Sequence, residues 1–193
     1  MWVLVFGLVL FLGVHLVPTA PDLHGRLRAQ FGDNGFKGAF SLLSFAGLAL
    51  IGLGLGAARG PADVQLWHPP VWTKHLAFVL VWIAFVLVVA AYIPSHIRDR
   101  AKHPMLAGVK FWALAHLLAN GNLSGLLFFG SFLAWAVYDR ISVKKRGAKG
   151  PLGEQRGGWA GDAAALGLGT ALYAAMLVWG HPWLIGIRLV GAG

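Results

Sequence analysis

The sequence predicts an all-α integral membrane bundle of about six transmembrane helices, with helices four and five a short hairpin and both termini outside. Three observations predict it. The 193 residues are 58% hydrophobic and only 12% charged, too apolar for a soluble globular domain. Charge-free stretches of about 20 residues, the length that crosses a hydrocarbon core, recur along the chain. The 16 Lys and Arg lie mainly between those stretches, so the net charge of +9 has a topological cause rather than nucleic acid as a partner.

The first span is 1–20, free of formal charge. No Lys or Arg precedes Arg26, so the basic n-region of a cleaved signal peptide is missing and a retained first helix is expected. The second span, 38–58, carries Gly52-Leu-Gly-Leu-Gly56, a small-residue face suited to close helix packing. The third, 76–93, follows Lys74 and His75. After Lys110 come 28 residues without a charge, 111–138, which as one helix would run about 42 Å and overshoot the bilayer core. Their middle reads Asn120-Gly121-Asn122, a turn signal. The stretch therefore divides into helices of 104–119 and 122–138, with Pro104 at the favoured first turn. A sixth helix runs from about 163 to the His181-Pro182 step.

The basic residues discriminate between the two counts. With six spans, 13 of the 16 Lys and Arg fall on one side, whereas an undivided 111–138 spreads them evenly, so the positive-inside rule favours six. The glycine-rich basic segment 144–158 is then a cytoplasmic loop near anionic lipid. No repeat or composition break divides the chain, and 1–193 reads as one transmembrane domain.

The chain has no cysteine, which excludes disulfides, iron–sulfur clusters, thiolate ligands and thioether-attached haem. Its seven acidic residues, Asp22, Asp33, Asp63, Asp99, Asp139, Glu154 and Asp162, fall in loops or at helix ends. A carboxylate relay or carboxylate-rich metal site in the core is therefore not expected. The ionisable groups inside the spans reduce to histidine. His24, His68, His96 and His181 lie in loops or at span ends, His75 opens helix three, and His103 begins Lys102-His103-Pro104-Met105.

His15 and His116 are different, because each falls within an apolar span, where an ionisable side chain needs a partner and marks a candidate site. Both are expected in the cytoplasmic half of the bilayer. Spacing leaves two readings open: core histidines hydrogen-bonded across helices, or two metal ligands. A tetrahedral zinc site normally needs more protein ligands at that level, whereas haem needs only two axial positions and its ring suits a pocket between helices. Trp112 and Asn120 stand one turn to either side of His116 and share its face.

The run His103-Pro-Met-Leu-Ala-Gly-Val-Lys-Phe-Trp-Ala-Leu-Ala-His116-Leu-Leu-Ala-Asn-Gly, with Leu126-Leu-Phe-Phe-Gly-Ser-Phe-Leu-Ala-Trp-Ala-Val-Tyr-Asp-Arg140, Gly13-Val-His15 and Ser95-His-Ile-Arg98, resembles the NnrU family of bacterial membrane proteins. The resemblance covers nearly the whole chain. It implies an inner-membrane protein associated with denitrification and nitric oxide metabolism. A relative of the family, the 15-cis-zeta-carotene isomerase, uses haem b in a redox-dependent isomerisation, and its haem-ligand histidines match His15 and His116. The resemblance thus implies haem b as cofactor, with nitric oxide or a lipid-soluble polyene as reactant. The isomerase has a cysteine three residues before the second histidine, where this chain has Ala113, so a thiolate ligand switch is impossible here. On this reading Arg98, Arg100, Lys102 and Lys110 would pair with the haem propionates, and His103 would join that polar edge or cap its helix.

A bis-histidine haem serves redox sensing or electron transfer as it stands, and gas binding or isomerisation only if one ligand leaves; the sequence leaves these roles open. Two other classes compete. Lys102-His-Pro-Met-Leu-Ala-Gly108 also resembles an element of membrane methyltransferases related to the isoprenylcysteine carboxyl methyltransferases, without their later acidic pair. A non-enzymatic membrane protein, such as a respiratory assembly factor or small-solute permease, is the third. A permease would be expected to carry paired broken helices and an internal repeat, and neither is visible.

Overall fold

The computed structural model describes all residues except 59, 61, 62, 149, 154 and 190–193. Among these described residues eight α-helices follow in order: α1 (Trp2–Leu16), α2 (Pro21–Ala58), α3 (Val71–Ala90), α4 (His96–Ala101), α5 (Pro104–Ala119), α6 (Leu123–Lys145), α7 (Trp159–Ala175) and α8 (His181–Ile185). A 3₁₀ turn, Val17–Thr19, joins α1 to α2, and a π-helical turn, Met176–Gly180, joins α7 to α8. Among the described residues there is no strand, only an isolated bridge between Gln65 and Asn122.

Among the described residues five stretches have the length and hydropathy to cross a membrane: Trp2–Thr19, Pro21–Ala58, Val71–Ala90, Leu123–Lys145 and Trp159–Ile185. The sequence reading counts six. The difference is α5, whose 16 residues rise about 24 Å, short of a 30 Å core. The division of 111–138 is present, because Asn120 leaves helical geometry at the end of α5 and α6 starts at Leu123. Helix α6 is longer than expected and runs on to Lys145.

Local chemistry explains the other departures. Helix α2 begins far ahead of its apolar span and bends at Gly32 (φ 70°, ψ 166°), a left-handed conformation that a residue without Cβ adopts freely. The 21–31 portion, with Asp22, Arg26 and Arg28, is thereby set off from the portion that continues into the apolar span. Ser95 caps the short α4, its hydroxyl accepting from the Arg98 N–H at 3.2 Å. Near the end of the last span, Pro182 lacks the N–H an α-helical ladder needs, and the preceding turn widens to π geometry.

Helix α1 packs on α2, α3 on both α5 and α7, and α6 links the two halves through α5 and α1. Leu4, Leu8 and Ile51 form the buried core of the first half, with Phe11, Leu127, Phe128 and Phe132 against it. The close approach of α1 and α2 runs through Gly7, Gly47 and Gly54. A Cβ on Gly7 would sit 2.7 Å from the Ile51 nitrogen, and one on Gly54 would collide with the Leu4 backbone. Gly52 and Gly56 face open space, so of the expected Gly52–Gly56 face only Gly54 is a contact. A heptad step from Gly47 to Gly54 keeps one face toward α1, as two-residue steps do not.

Each end of the bundle is tied by one carboxylate. At one, Asp63 accepts from the Ser124 N–H (3.1 Å), the Ser124 hydroxyl (2.6 Å) and the Asn122 amide, while the Leu66 N–H donates to the Gly121 carbonyl and the Leu123 N–H to the Val64 carbonyl. At the other, Asp162 of α7 accepts from His96 Nδ1 (2.7 Å) and the Ile97 N–H (3.0 Å).

Candidate functional site

His15 occupies the last turn of α1, where its Nδ1 lies 2.7 Å from the Phe11 carbonyl. His116 occupies the last turn of α5, its Nδ1 lying 2.8 Å from the Trp112 carbonyl. A carbonyl only accepts, so each Nδ1 carries the proton and each Nε2 keeps its lone pair. Among the described residues neither Nε2 has a hydrogen-bond partner. This is the arrangement in which a backbone acceptor sets the tautomer and orientation of a histidine that presents Nε2 to a metal.

Aromatic rings line both imidazoles. His15 stacks on Phe11 (4.2 Å between centroids), tilts against Phe40 (5.0 Å) and meets Trp135 edge-on (5.8 Å). His116 stacks on Phe129 (4.5 Å) and touches Trp112 (5.3 Å). Trp112 packs against Phe132 at 5.6 Å and Phe132 against Phe11 at 5.5 Å, so an unbroken row of rings joins the two histidines. The two imidazoles do not touch each other.

They also lie at different heights. Their partners on α6, Phe129 and Trp135, are six residues apart, about 9 Å of helical rise. The expectation that both histidines lie in the cytoplasmic half of the bilayer counts rise from Lys110, whereas His116 sits four residues before the Asn120 turn that closes α5. His15 approaches the opposite end, within electrostatic reach of Asp139, as is His103. Among the described residues no group of three or more His, Cys, Asp or Glu stands ready to hold a metal ion.

The other expected site residues divide. Trp112 lies at the centre of the ring cluster. Asn120 caps α5, its amide donating to the His116 carbonyl at 2.8 Å, and so supports that histidine's turn. His103 takes the N-cap position of α5, with Arg140 and Asp139 nearby; burial first, and the Arg140 charge second, hold its imidazole pKa below the ordinary value. Lys110 lies on the same helix as His116. Arg98, Arg100 and Lys102 belong to α4 and its C-cap, which packs on α3, α5 and α7, away from α1.

Sequence reasoning missed Phe11, Phe40, Phe129, Phe132 and Trp135. Phe128, Phe129, Phe132 and Trp135 recur at helical three- and four-residue steps, and this aromatic stripe was the available signal. Trp135 has a further property: its Nε1 is buried and has no hydrogen-bond partner among the described residues. A buried N–H without an acceptor is costly and marks a position where a ligand or water completes the bonding.

Large apolar side chains cover the outside, including Phe6 (62% exposed), Phe45 (74%) and Trp183 (83%). Such a surface is stable in lipid rather than water. The fold defines a multi-pass, all-helical membrane protein with one histidine in the last turn of α1 and another in the last turn of α5. The sequence model of the NnrU family matches residues 3–189, and the chain belongs to that family. This membership fits a membrane protein linked to nitric oxide metabolism and denitrification. No curated protein and no solved structure matches the chain.

Proposed function

We propose that this is a haem b-binding protein of the bacterial inner membrane, linked to nitric oxide metabolism, in which His15 and His116 are the iron ligands. One observation carries the reading: both imidazoles donate Nδ1–H to the carbonyl four residues back, which leaves two unengaged Nε2 lone pairs in an aromatic-lined space. Haem supplies one-electron redox chemistry when bound. The chain's own residues do the rest. Phe11, Phe40, Phe129 and Phe132 exclude water, the Phe11 and Trp112 carbonyls hold the ring orientations, and Trp135 offers a hydrogen-bond donor beside His15. Because Phe11, Phe132 and Trp112 stand between the histidines, loading requires these rings to turn aside. Redox sensing, electron transfer and isomerisation of a lipid-soluble polyene all use such a group.

The test is the visible spectrum of the detergent-purified protein, oxidised and then dithionite-reduced, with a pyridine haemochrome assay. The reading expects about one haem b per chain with a sharp low-spin reduced spectrum. His15→Ala and His116→Ala should each lose the pigment or convert it to a five-coordinate form, while His24→Ala and His68→Ala leave it unchanged. A colourless protein after expression with haem supplied sinks the proposal.

A further inference from the structure

We propose that the polar pocket between α4 and residues 150–153, 155 and 156 is a binding site for a phosphate-bearing anion. The pocket encloses about 350 Å³ and is walled by Arg98, Asp99, Lys102, Pro104, Gln155 and Arg156, among others, a size that suits a small ligand or a lipid headgroup. Among its described lining residues cations outnumber carboxylates. The one carboxylate among them, Asp99, is already engaged, accepting from Arg98 at 3.1 Å and from the Gly157 N–H at 2.9 Å. Arg98 also donates to the Gln155 carbonyl, so this pair clamps the loop and closes one wall. Lys102 and Arg156 add two cations that have no acidic partner among the described residues.

A second, independent observation concerns the backbone. Lys102 is the one non-glycine residue with positive φ among the described residues, at 61°. An L side chain is strained there and glycine is the residue that relieves it. Strain held at a cationic position on a pocket wall points to a use for the side chain. The chemistry of the ligand follows from the walls: a guanidinium matches phosphate oxygens in a fork and an ammonium adds a point charge. Ala91, just past the end of α3, and Pro104, the first residue of α5, also line the pocket, which places it where two apolar helices end and phospholipid headgroups lie. The phosphate therefore comes either from an anionic phospholipid or from a soluble phosphate compound.

The experiment uses the full chain in detergent. Native mass spectrometry measures retention of phosphatidylglycerol against phosphatidylcholine, and a thermal-shift titration uses inorganic phosphate. The wild type should prefer phosphatidylglycerol, and Lys102→Gly and Arg156→Gln should each weaken that preference about fivefold, the effect of one cation at a membrane surface. Lys102→Gly relieves the backbone, so its loss of binding cannot be ascribed to unfolding if its melting temperature holds or rises. Lys144→Gln/Lys145→Gln removes two cations outside the pocket and should keep the preference. Stabilisation by inorganic phosphate in wild type alone identifies a soluble phosphate as the source; no response to phosphate, with the lipid preference lost in the pocket variants, identifies the phospholipid. Equal retention of both lipids with no response to phosphate overturns the proposal. So does a preference untouched by the pocket variants or lost only in Lys144→Gln/Lys145→Gln.

Discussion

Asp63 and Ser124 are joined by two hydrogen bonds, one to the Ser124 N–H at 3.1 Å and one to its hydroxyl at 2.6 Å. The carboxylate therefore caps α6 from outside the helix, from the connection between α2 and α3. It satisfies a donor that the helix N-terminus leaves open and places a negative charge at the positive end of the dipole. Ser124 is 3% exposed, so losing the partner strands buried donors.

Replacing Asp63 by Ala should destabilise the protein by about 1–3 kcal/mol, the cost of unsatisfied buried donors, and loosen the α5–α6 turn. Thermal unfolding in detergent measures the first effect, and hydrogen exchange at Leu66, Gly121 and Leu123 the second. An unchanged melting temperature would show that the cap contributes nothing.

Gly54→Ala should separate α1 from α2, because the added methyl meets the Leu4 backbone rather than a movable side chain. A loss of about 1–3 kcal/mol is expected from overpacking. Gly52→Ala and Gly56→Ala, facing open space, should be neutral or slightly stabilising through helix propensity. Parallel thermal melts of the three variants decide the matter, and equal effects at all three positions would contradict the packing described.

The His103 imidazole, held below its ordinary pKa of 6.5 by burial and by Arg140, stays neutral in the folded protein at pH 7. As the pH falls below 6.5 the unfolded chain binds this proton first, so stability declines until the pH passes the lowered folded value. Melting temperatures recorded from pH 7.5 to 5 should fall with acidity, and His103→Asn should flatten that part of the curve. A variant curve parallel to wild type would remove His103 as the source.

Trp135→Phe keeps an aromatic ring beside His15 and deletes the buried Nε1–H that has no partner among the described residues. The ligand-free protein should be unchanged or slightly more stable, since an unsatisfied donor is gone. If the group held at His15 accepts from Trp135, pigment retention or the reduced absorption maximum should shift in this variant. No change in either spectrum or retention would assign Trp135 to packing alone.

Much of this molecule follows from composition and local pattern. Charge-free length and the placing of Lys and Arg define a helical membrane protein, because lipid leaves backbone groups only helices or closed barrels in which to pair. Asn120-Gly121-Asn122 and Pro104 mark a real turn and a real helix start, since turn and cap chemistry act over a few residues. His15 and His116 stand out because an imidazole inside an apolar span is rare. Tertiary structure alone decided the rest. Gly54 and not Gly52 or Gly56 meets α1 because the crossing of two helices selects the face. Asp63 caps a helix 61 residues away in sequence, and Asp99 anchors Gly157, 58 residues on. The heights of the two histidines, and the row of rings between them, depend on how α1 and α5 register against α6, which is set by packing over all three helices and by no single residue.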